Sequence, residues 1–534
     1  CYNYFPNLYI YYLLINILCV FFRLITQLCS NASILYIESL LLHLINERTY
    51  MEQTLIEIKG AVPRIEYLRY TEPVSWQINE GHHWAIVGPN GSGKTVLTDM
   101  LIGKYALKLG EVSCIDRNGA NLAVSAVVKS VAFRDIYSLI DADTSFYQQR
   151  WNKGIEQDVP IVKELVGKAD QKWLDELVDW FGIEDLLEKE VNLLSSGELR
   201  KFLIVKSLLT NPRVLILDNP FIGLDVSSRS VLNKLLIRLS ELDNLQIVLV
   251  LSDPADIPDF ITDVLPVKDK KLYPALSATE FLSSIDLQSH LFPPRHSVLS
   301  HIPGFGLREQ DLSYDNVAVL KNIHIKYGSR SILKDLNWTV KKGDKWALLG
   351  PNGSGKSTLL SLICGDNPQA YANDIKLFDR KRGSGESIWD IKKRIGYVSP
   401  EMHIYYQQNT KCVDVVGSGF FDTIGLYRKC SSQQEDMAME WMKLLDVSHL
   451  RDIAFQHVSS GEQRLLLFAR AMVKRPELLI LDEPMHGLDI VNKRRIKRFI
   501  ESYCSEHITL IYVTHYQDEL PDIIDKQLVL KKQQ

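Results

Sequence analysis

Apolar and polar positions follow the same order of patterns twice along this chain. From Met51, the run Met51-Glu-Gln-Thr-Leu-Ile-Glu-Ile58 opens an alternation with the period of two that suits a half-buried strand. The solid apolar run Trp84-Ala-Ile-Val87 then leads into a glycine-rich turn and an apolar-periodic segment, which predicts strand, loop and helix. Helical spacing appears in Trp173, Leu174, Leu177, Trp180 and Phe181, a stripe that needs no cause beyond a buried face. A continuous apolar strand returns at Val214-Leu-Ile-Leu-Asp218. The second half repeats the series with Trp346-Ala-Leu-Leu349, the stripe Met437, Trp441, Leu444 and Leu445, and Leu478-Leu-Ile-Leu-Asp482. Strand, loop, helix, helical insertion and buried strand predict an α/β architecture, built twice.

The register of the repeat is tight. The two glycine-rich turns begin at Gly88 and Gly350, 262 residues apart. Leu194-Ser-Ser-Gly-Glu198 matches Val458-Ser-Ser-Gly-Glu462, and Gly223-Leu-Asp225 matches Gly487-Leu-Asp489, each at an offset of 264. Residues 51–270 and 317–534 are therefore expected to be two copies of one domain. Residues 271–316 carry Pro293, Pro294 and Pro303 with mixed polarity and are read as a partly packed linker. Residues 1–50 differ from both copies: Arg23, Glu38, Glu47 and Arg48 are their only charges and they hold no methionine. They are expected to be upstream non-coding sequence, with translation starting at Met51. The rival reading is an apolar N-terminal segment or anchor, but Leu8 to Phe22 is short of the about 20 apolar residues a spanning helix needs, and no positive region precedes it.

A chain of 534 residues, 46% apolar and 24% charged, has ample material for two cores. A net charge of -4 gives no global basic footprint and no strong evidence for nucleic acid. The eight cysteines lack metal or disulfide-framework spacing, which reads as a reduced, cytoplasmic chain.

Chemistry concentrates in the turns. Gly88, Pro89, Asn90, Gly91, Ser92, Gly93, Lys94 and Thr95 form one phosphate loop, and Gly350, Pro351, Asn352, Gly353, Ser354, Gly355, Lys356 and Ser357, followed by Thr358, form the other. Such a loop needs glycines so that successive N–H groups close on phosphates, a lysine to reach the outer phosphates, and a hydroxyl for Mg²⁺. Two ATP sites follow.

The ordered set of phosphate loop, Ser-Ser-Gly-Glu, apolar strand ending in Asp, and Gly-Leu-Asp resembles the ATP-binding cassette (ABC) ATPases over residues 51–534. Within that family, Gly81-His-His-Trp84, Ile395-Gly-Tyr-Val-Ser399 and Gly417-Ser-Gly-Phe-Phe-Asp422 are similar to tandem proteins of the ModF type, linked by name to molybdate transport and elsewhere called photorepair proteins. The resemblance implies two P-loop NTPase domains of ABC type in tandem, each with a helical subdomain. It also implies that the signature of one domain (Ser195, Ser196, Gly197, Glu198, or Ser459, Ser460, Gly461, Glu462) closes over nucleotide held by the other. Thr95 with Asp218 and Ser357 with Asp482 would hold Mg²⁺, and Tyr67 and Tyr327 would stack adenine.

The two copies differ where hydrolysis is decided. Glu483 follows Asp482 and is placed to polarise the attacking water, and His515 resembles the family's switch histidine, so Glu483, His515 and Lys356 are the expected catalytic set. In the first copy Asn219 stands after Asp218, and Ser252-Asp253 follows the matching strand. An amide binds water but accepts no proton at neutral pH, so this site is expected to hold ATP. Transporter ATPases carry a glutamine in the loop after the next strand. Here the loops read Val131-Ala-Phe-Arg-Asp135 and Val398-Ser-Pro-Glu401. Three functions fit the resemblance: a soluble ATPase driving a partner, the ATP-binding subunit of an importer for molybdate or another oxyanion with separate membrane permease subunits, and a ribosome-associated factor of ABC-F kind. The missing glutamines weaken the second, although it would place the chain peripherally on the inner face of the membrane. The third calls for a long charged linker helix that 271–316 do not resemble. His82, His83 and His403 and the terminal lysines are read as solvated or hydrogen-bonded side chains.

Overall fold

The computed structural model describes residues 54–115, 120–132, 160–167, 170–191, 194, 196–293, 314–327, 330–399, 402–406, 409–504 and 508–532. The expectations for residues 1–50, for Ser195, for the loop residues 133–135 and 400–401, and for the central part of the linker lie outside these residues.

The first copy opens with β1 (Thr54–Pro63), which pairs with β2 (Val74–Asn79) on one side and β4 (Leu107–Cys114) on the other in an antiparallel sheet. A second sheet runs in the order β8 (Asp263–Lys268), β3 (Trp84–Val87), β7 (Gln246–Leu251), β6 (Val214–Asp218), β5 (Val128–Ala132), all parallel. Every residue of β3, β6 and β7 is buried, which is why these strands read as unbroken apolar runs: helices and the other sheet cover both faces. Short β9 (Lys271–Leu272) and β10 (Leu276–Ser277) finish this sheet against β8.

The second copy repeats the plan. Its antiparallel sheet is β12 (Arg330–Lys341), β11 (Asn316–Tyr327), β14 (Asp374–Leu377), β15 (Arg380–Lys381). Its parallel sheet is β19 (Lys526–Val529), β13 (Lys345–Leu349), β18 (Thr509–Val513), β17 (Leu478–Asp482), β16 (Ile395–Val398). The strand order matches copy one position for position. A T-shaped tryptophan pair joins the sheets in each copy, Trp76 on Trp84 at 5.4 Å and Trp338 on Trp346 at 5.6 Å between centroids.

The longer helices of copy one are α1 (Lys94–Leu101), α2 (Gln171–Phe181), α3 (Ser196–Leu208) and α4 (Val226–Ser240). In α2 the stripe turns Leu177 and Phe181 into the core, while Trp173 and Trp180 pack edge to face at its margin. Residues 271–292, the start of the expected linker, pack on copy one: α5 (Ala278–Ser283) and α6 (Ile285–Leu291) bury Phe281, Leu291 and Phe292 in its core. Mixed polarity there reflects two short amphipathic helices on a domain surface. Copy two has α7 (Lys356–Cys364), α8 (Ser432–Leu444), α9 (Ser460–Met472) and α10 (Ile490–Tyr503), with Trp441 of α8 fully buried against Phe499 and Tyr503 of α10. Among the described residues no helix is long and apolar enough to cross a membrane.

Candidate nucleotide sites

Each phosphate loop leaves the carboxyl end of a central parallel strand, β3 or β13, where open α/β sheets hold ligands. Glycine is required at its first position because the neighbouring strand crosses beneath: a Cβ would stand 1.9 Å from Val267 O at Gly88 and 2.5 Å from Leu530 O at Gly350. The last glycines, Gly93 and Gly355, take φ of 108° and 94° and swing the chain into α1 and α7. Lys94 Nζ donates to Gly88 O at 2.7 Å and Pro89 O at 2.8 Å, and Lys356 Nζ to Gly350 O at 2.7 Å and Pro351 O at 3.0 Å. Both ammonium groups are buried, and burial lowers their pKa, to about 8 for Lys94, against the opposing pull of Asp218 and Asp489 on Lys94 and of Glu483, Asp482 and Asp225 on Lys356. A bound polyanion would add to the pull of these carboxylates and favour the charged form of both lysines.

The acidic strand ends lie beside the loops. Thr95 Oγ1 donates to Asp218 Oδ2 at 2.9 Å, so this expected Mg²⁺ pair is assembled. A hydroxyl and a carboxylate beside a phosphate loop suit Mg²⁺, which takes few protein ligands and completes its shell with phosphate and water. Asp482 is buried, and its pKa is pushed up to about 7 by burial and then by the charge of Glu483, against Lys356, Arg464 and His515. Burial also works to raise Glu483, but His515, then His486 and Lys356, outweigh it and hold this carboxyl below its usual range. His515 Nε2 lies 2.9 Å from Glu483 Oε1. The expected acid and histidine of copy two therefore meet.

Copy one reproduces the backbone of that arrangement with different side chains. Asn219 and Glu483 have φ of 53° and 48°, and their N–H groups bond Val250 O and Val513 O at 2.9 and 3.0 Å. Asp218 pairs with Val250, and Asp482 with Val513, which puts Ser252 at the strand position of His515. Asn219 Nδ2 donates to Asp218 Oδ1 at 2.8 Å, and Ser252 Oγ reaches Asn90 Oδ1 at 3.0 Å and Asn219 Oδ1 at 3.4 Å. A neutral amide and hydroxyl network occupies the place of the carboxylate and imidazole.

The copies meet head to tail. Asn90 of the first loop donates its N–H to Asp489 Oδ2 at 2.8 Å and its Nδ2 to Gly487 O at 2.7 Å. The signature turn of copy two sits over this loop, since a Cβ on Gly461 would fall 2.1 Å from Asn90 Nδ2 and one on Gly91 would lie 3.6 Å from Glu462 Oε1. Ser459 and Glu462 form a reciprocal cap on α9, with Ser459 N–H donating to Glu462 Oε2 at 2.8 Å. In the reverse direction, Asn352 N–H donates to Asp225 Oδ2 at 3.4 Å, and Tyr516 OH to Leu224 O at 2.6 Å. Hydrogen bonds from Ser228, Ser227 and Asn352 overcome burial and hold Asp225 at about pKa 2.

Other predicted residues fall as follows. Gly197 approaches Ser228 of its own copy, and Glu198 pairs with Lys189 at 3.1 Å. Tyr67 lies on a short turn with 64% of its surface exposed, whereas Tyr70 donates its OH to Gly93 O at 2.7 Å and covers the loop. Tyr327 accepts at its OH from Asn367 Nδ2 at 2.9 Å. His82 lies 2.7 Å from Asp263, and His83 accepts from Ile247 N–H at 3.0 Å. Sequence alone assigns no role to Tyr70, Tyr516 or the two Gly-Leu-Asp aspartates, and marks Asn90 only as a residue of the first phosphate loop. The repeat of Gly-Pro-Asn-Gly and Gly-Leu-Asp marks some of them, and Tyr516 has no local mark.

The ABC transporter family matches residues 71–222 and 333–486, more than half of the chain. The chain is 38% identical over 470 residues to the ABC transporter ATP-binding protein ModF of Escherichia coli, covering 84% of this chain and 91% of that protein. It is 29% identical over 473 residues to an uncharacterized ABC transporter ATP-binding protein of Schizosaccharomyces pombe, covering 85% and 93%. Among solved structures, its fold resembles the archaeal ribosome recycling factor in complex with ribosomal stalk protein (TM-score 0.51, 20% identity, 88% and 87% covered). With two matched domains, two phosphate loops and a relative aligned across nearly its whole length, the chain belongs to the ABC transporter family as a tandem ATP-binding protein and ATP hydrolase.

Proposed function

We propose that the chain binds two ATP at composite head-to-tail sites and hydrolyses ATP mainly at the site of copy two, converting closure and reopening of the sandwich into work on a partner. The pairing of Glu483 with His515, against Asn219 with Ser252 on the same backbone, carries this reading. Glu483 accepts a proton from the attacking water, while the Asn219 amide orients water and accepts none. Lys356, with the Gly350–Ser357 backbone, grips the phosphates. Ser357 and Asp482 would hold Mg²⁺, which screens phosphate charge, and Ser195 to Glu198 would complete the site. Site one, with Thr95, Asp218 and Lys94 in place and Ser459 to Glu462 across from it, holds ATP and keeps the copies together.

Steady-state hydrolysis by the full chain tests this. Glu483→Gln should lower turnover by about 10²- to 10⁴-fold, the range of a general base, while ATP binding persists. Asn219→Glu should add activity. Wild-type turnover in Glu483→Gln would sink the assignment. The printed description of the Escherichia coli relative supports a second reading, in which the partner is a membrane permease. Copurification of the chain with membrane subunits, lost on high-salt washing, would favour it.

A further inference from the structure

The residue after His515 makes a contact that its counterpart in copy one does not share. Tyr516 OH donates to Leu224 O, across 292 residues of sequence and across the contact between copies, at 2.6 Å. The Arg229 guanidinium lies against the same phenol and is ion-paired with Asp256. On its own side Tyr516 is fixed too: its N–H donates to Thr514 Oγ1 at 3.1 Å, Thr514 Oγ1 donates to Glu519 Oε2 at 3.0 Å, and Glu519 pairs with Lys493 at 3.1 Å. Leu224 precedes Asp225, whose carboxylate accepts from Asn352 N–H in the second phosphate loop. One segment of copy one, Leu224-Asp225, thus touches both the strand end carrying His515 and the loop that grips phosphate. Asp253 occupies the corresponding place after Ser252, and a carboxylate cannot donate to a backbone carbonyl.

We infer that Tyr516 is a positioning residue that fixes His515 against Glu483 only when the Leu224-Asp225 segment of copy one is docked on it, so that hydrolysis at site two depends on that one donor. This rests on the reading that site two hydrolyses. When the copies part, the phenol loses Leu224 O, the Thr514–Tyr516 segment is released on one side, and the imidazole is no longer held at its 2.9 Å approach to the carboxylate. At site one the link across the contact runs instead through Asn90, which meets Ser252 on its own side and Gly487 and Asp489 on the other.

The test is Tyr516→Phe in the full chain, which keeps the ring and removes one donor. Turnover per folded molecule should fall about two- to tenfold, the worth of one such hydrogen bond expressed as a rate. KM for ATP should stay within twofold, because no phosphate contact is lost, and thermal unfolding should be unchanged. Glu483→Gln is assayed alongside. If it abolishes turnover while Tyr516→Phe retains the wild-type kcat, Tyr516 has no positioning role and the site assignment stands. If Glu483→Gln stays active, the assignment itself fails. A fall in kcat for Tyr516→Phe that merely tracks a lowered Tm also overturns the inference.

Discussion

Alanine at Gly461 should open the contact between the copies, while alanine at Gly197, the same position of the other signature, should not. A Cβ on Gly461 would stand 2.1 Å from Asn90 Nδ2, 2.7 Å from its Cγ and 2.9 Å from its Cβ, so the whole side chain has to leave and not only its tip. Its departure removes the bond from Nδ2 to Gly487 O and displaces the backbone bond from Asn90 N–H to Asp489. A neutral hydrogen bond is worth about 1 kcal/mol and one to a carboxylate about 1.5–3 kcal/mol. Alanine returns about 1 kcal/mol of helix propensity. The net loss is about 1.5–3 kcal/mol of closure, or about 10- to 150-fold more of the open form. At Gly197 the nearest atom, Ser228 Oγ, would lie at 3.5 Å, an ordinary contact, so only the propensity gain remains. Amide hydrogen exchange of the peptide spanning Gly88 to Thr95, read by mass spectrometry without nucleotide, reports the Asn90 N–H directly. Exchange should accelerate about 10- to 150-fold in Gly461→Ala and hold in Gly197→Ala. Equal protection in the two variants would refute the steric argument.

Trp441→Ala removes a fully buried ring packed against Phe499 and Tyr503 and should cost the second copy about 3–5 kcal/mol, measured as a lower urea midpoint for that copy's transition. Asp225 has a folded pKa of about 2 against 3.8, so its contribution to stability is present above 3.8 and is lost as pH falls through about 2. The gap in urea midpoint between wild type and Asp225→Asn should therefore be widest above pH 4 and close near pH 2. A gap that does not change with pH would show that Asp225 is not held ionised by its neighbours.

The elements that sequence predicted well are those whose cause is local. Strands β3, β6 and β17 read as apolar runs because both of their faces are covered, and the loops read as glycines because a neighbouring backbone passes beneath Gly88 and Gly350. Contacts closed by the tertiary fold were not legible. Asn90 meets Asp489 across 399 residues, and neither residue carries a mark of the other. Tyr67 and Tyr70 are indistinguishable by spacing, yet the turn Glu66–Leu68 points one to solvent and the other onto Gly93. Ser252-Asp253 in place of histidine after Leu251 was plain in the sequence, but the bonds of Ser252 to Asn90 and Asn219 were not. Residues 271–292 read as the start of a partly packed linker, but their two short helices were not legible, since helices on a domain surface share the mixed polarity of linkers.

The left-handed backbone shared by Asn219 and Glu483 sets stability against chemistry. A non-glycine residue there costs about 1–2 kcal/mol, and asparagine bears it best because its short amide bonds its own surroundings, as Asn219 does with Asp218. Glutamate has no such relief. The proposed base therefore sits at a position where the fold alone would prefer the residue already present in the other copy. On the proposed assignment, selection for thermal endurance alone would carry Glu483 toward asparagine and lower turnover. On that assignment duplication separates the two demands: copy one carries the residue that this backbone favours, and copy two keeps the one suited to general-base chemistry at the cost of strain.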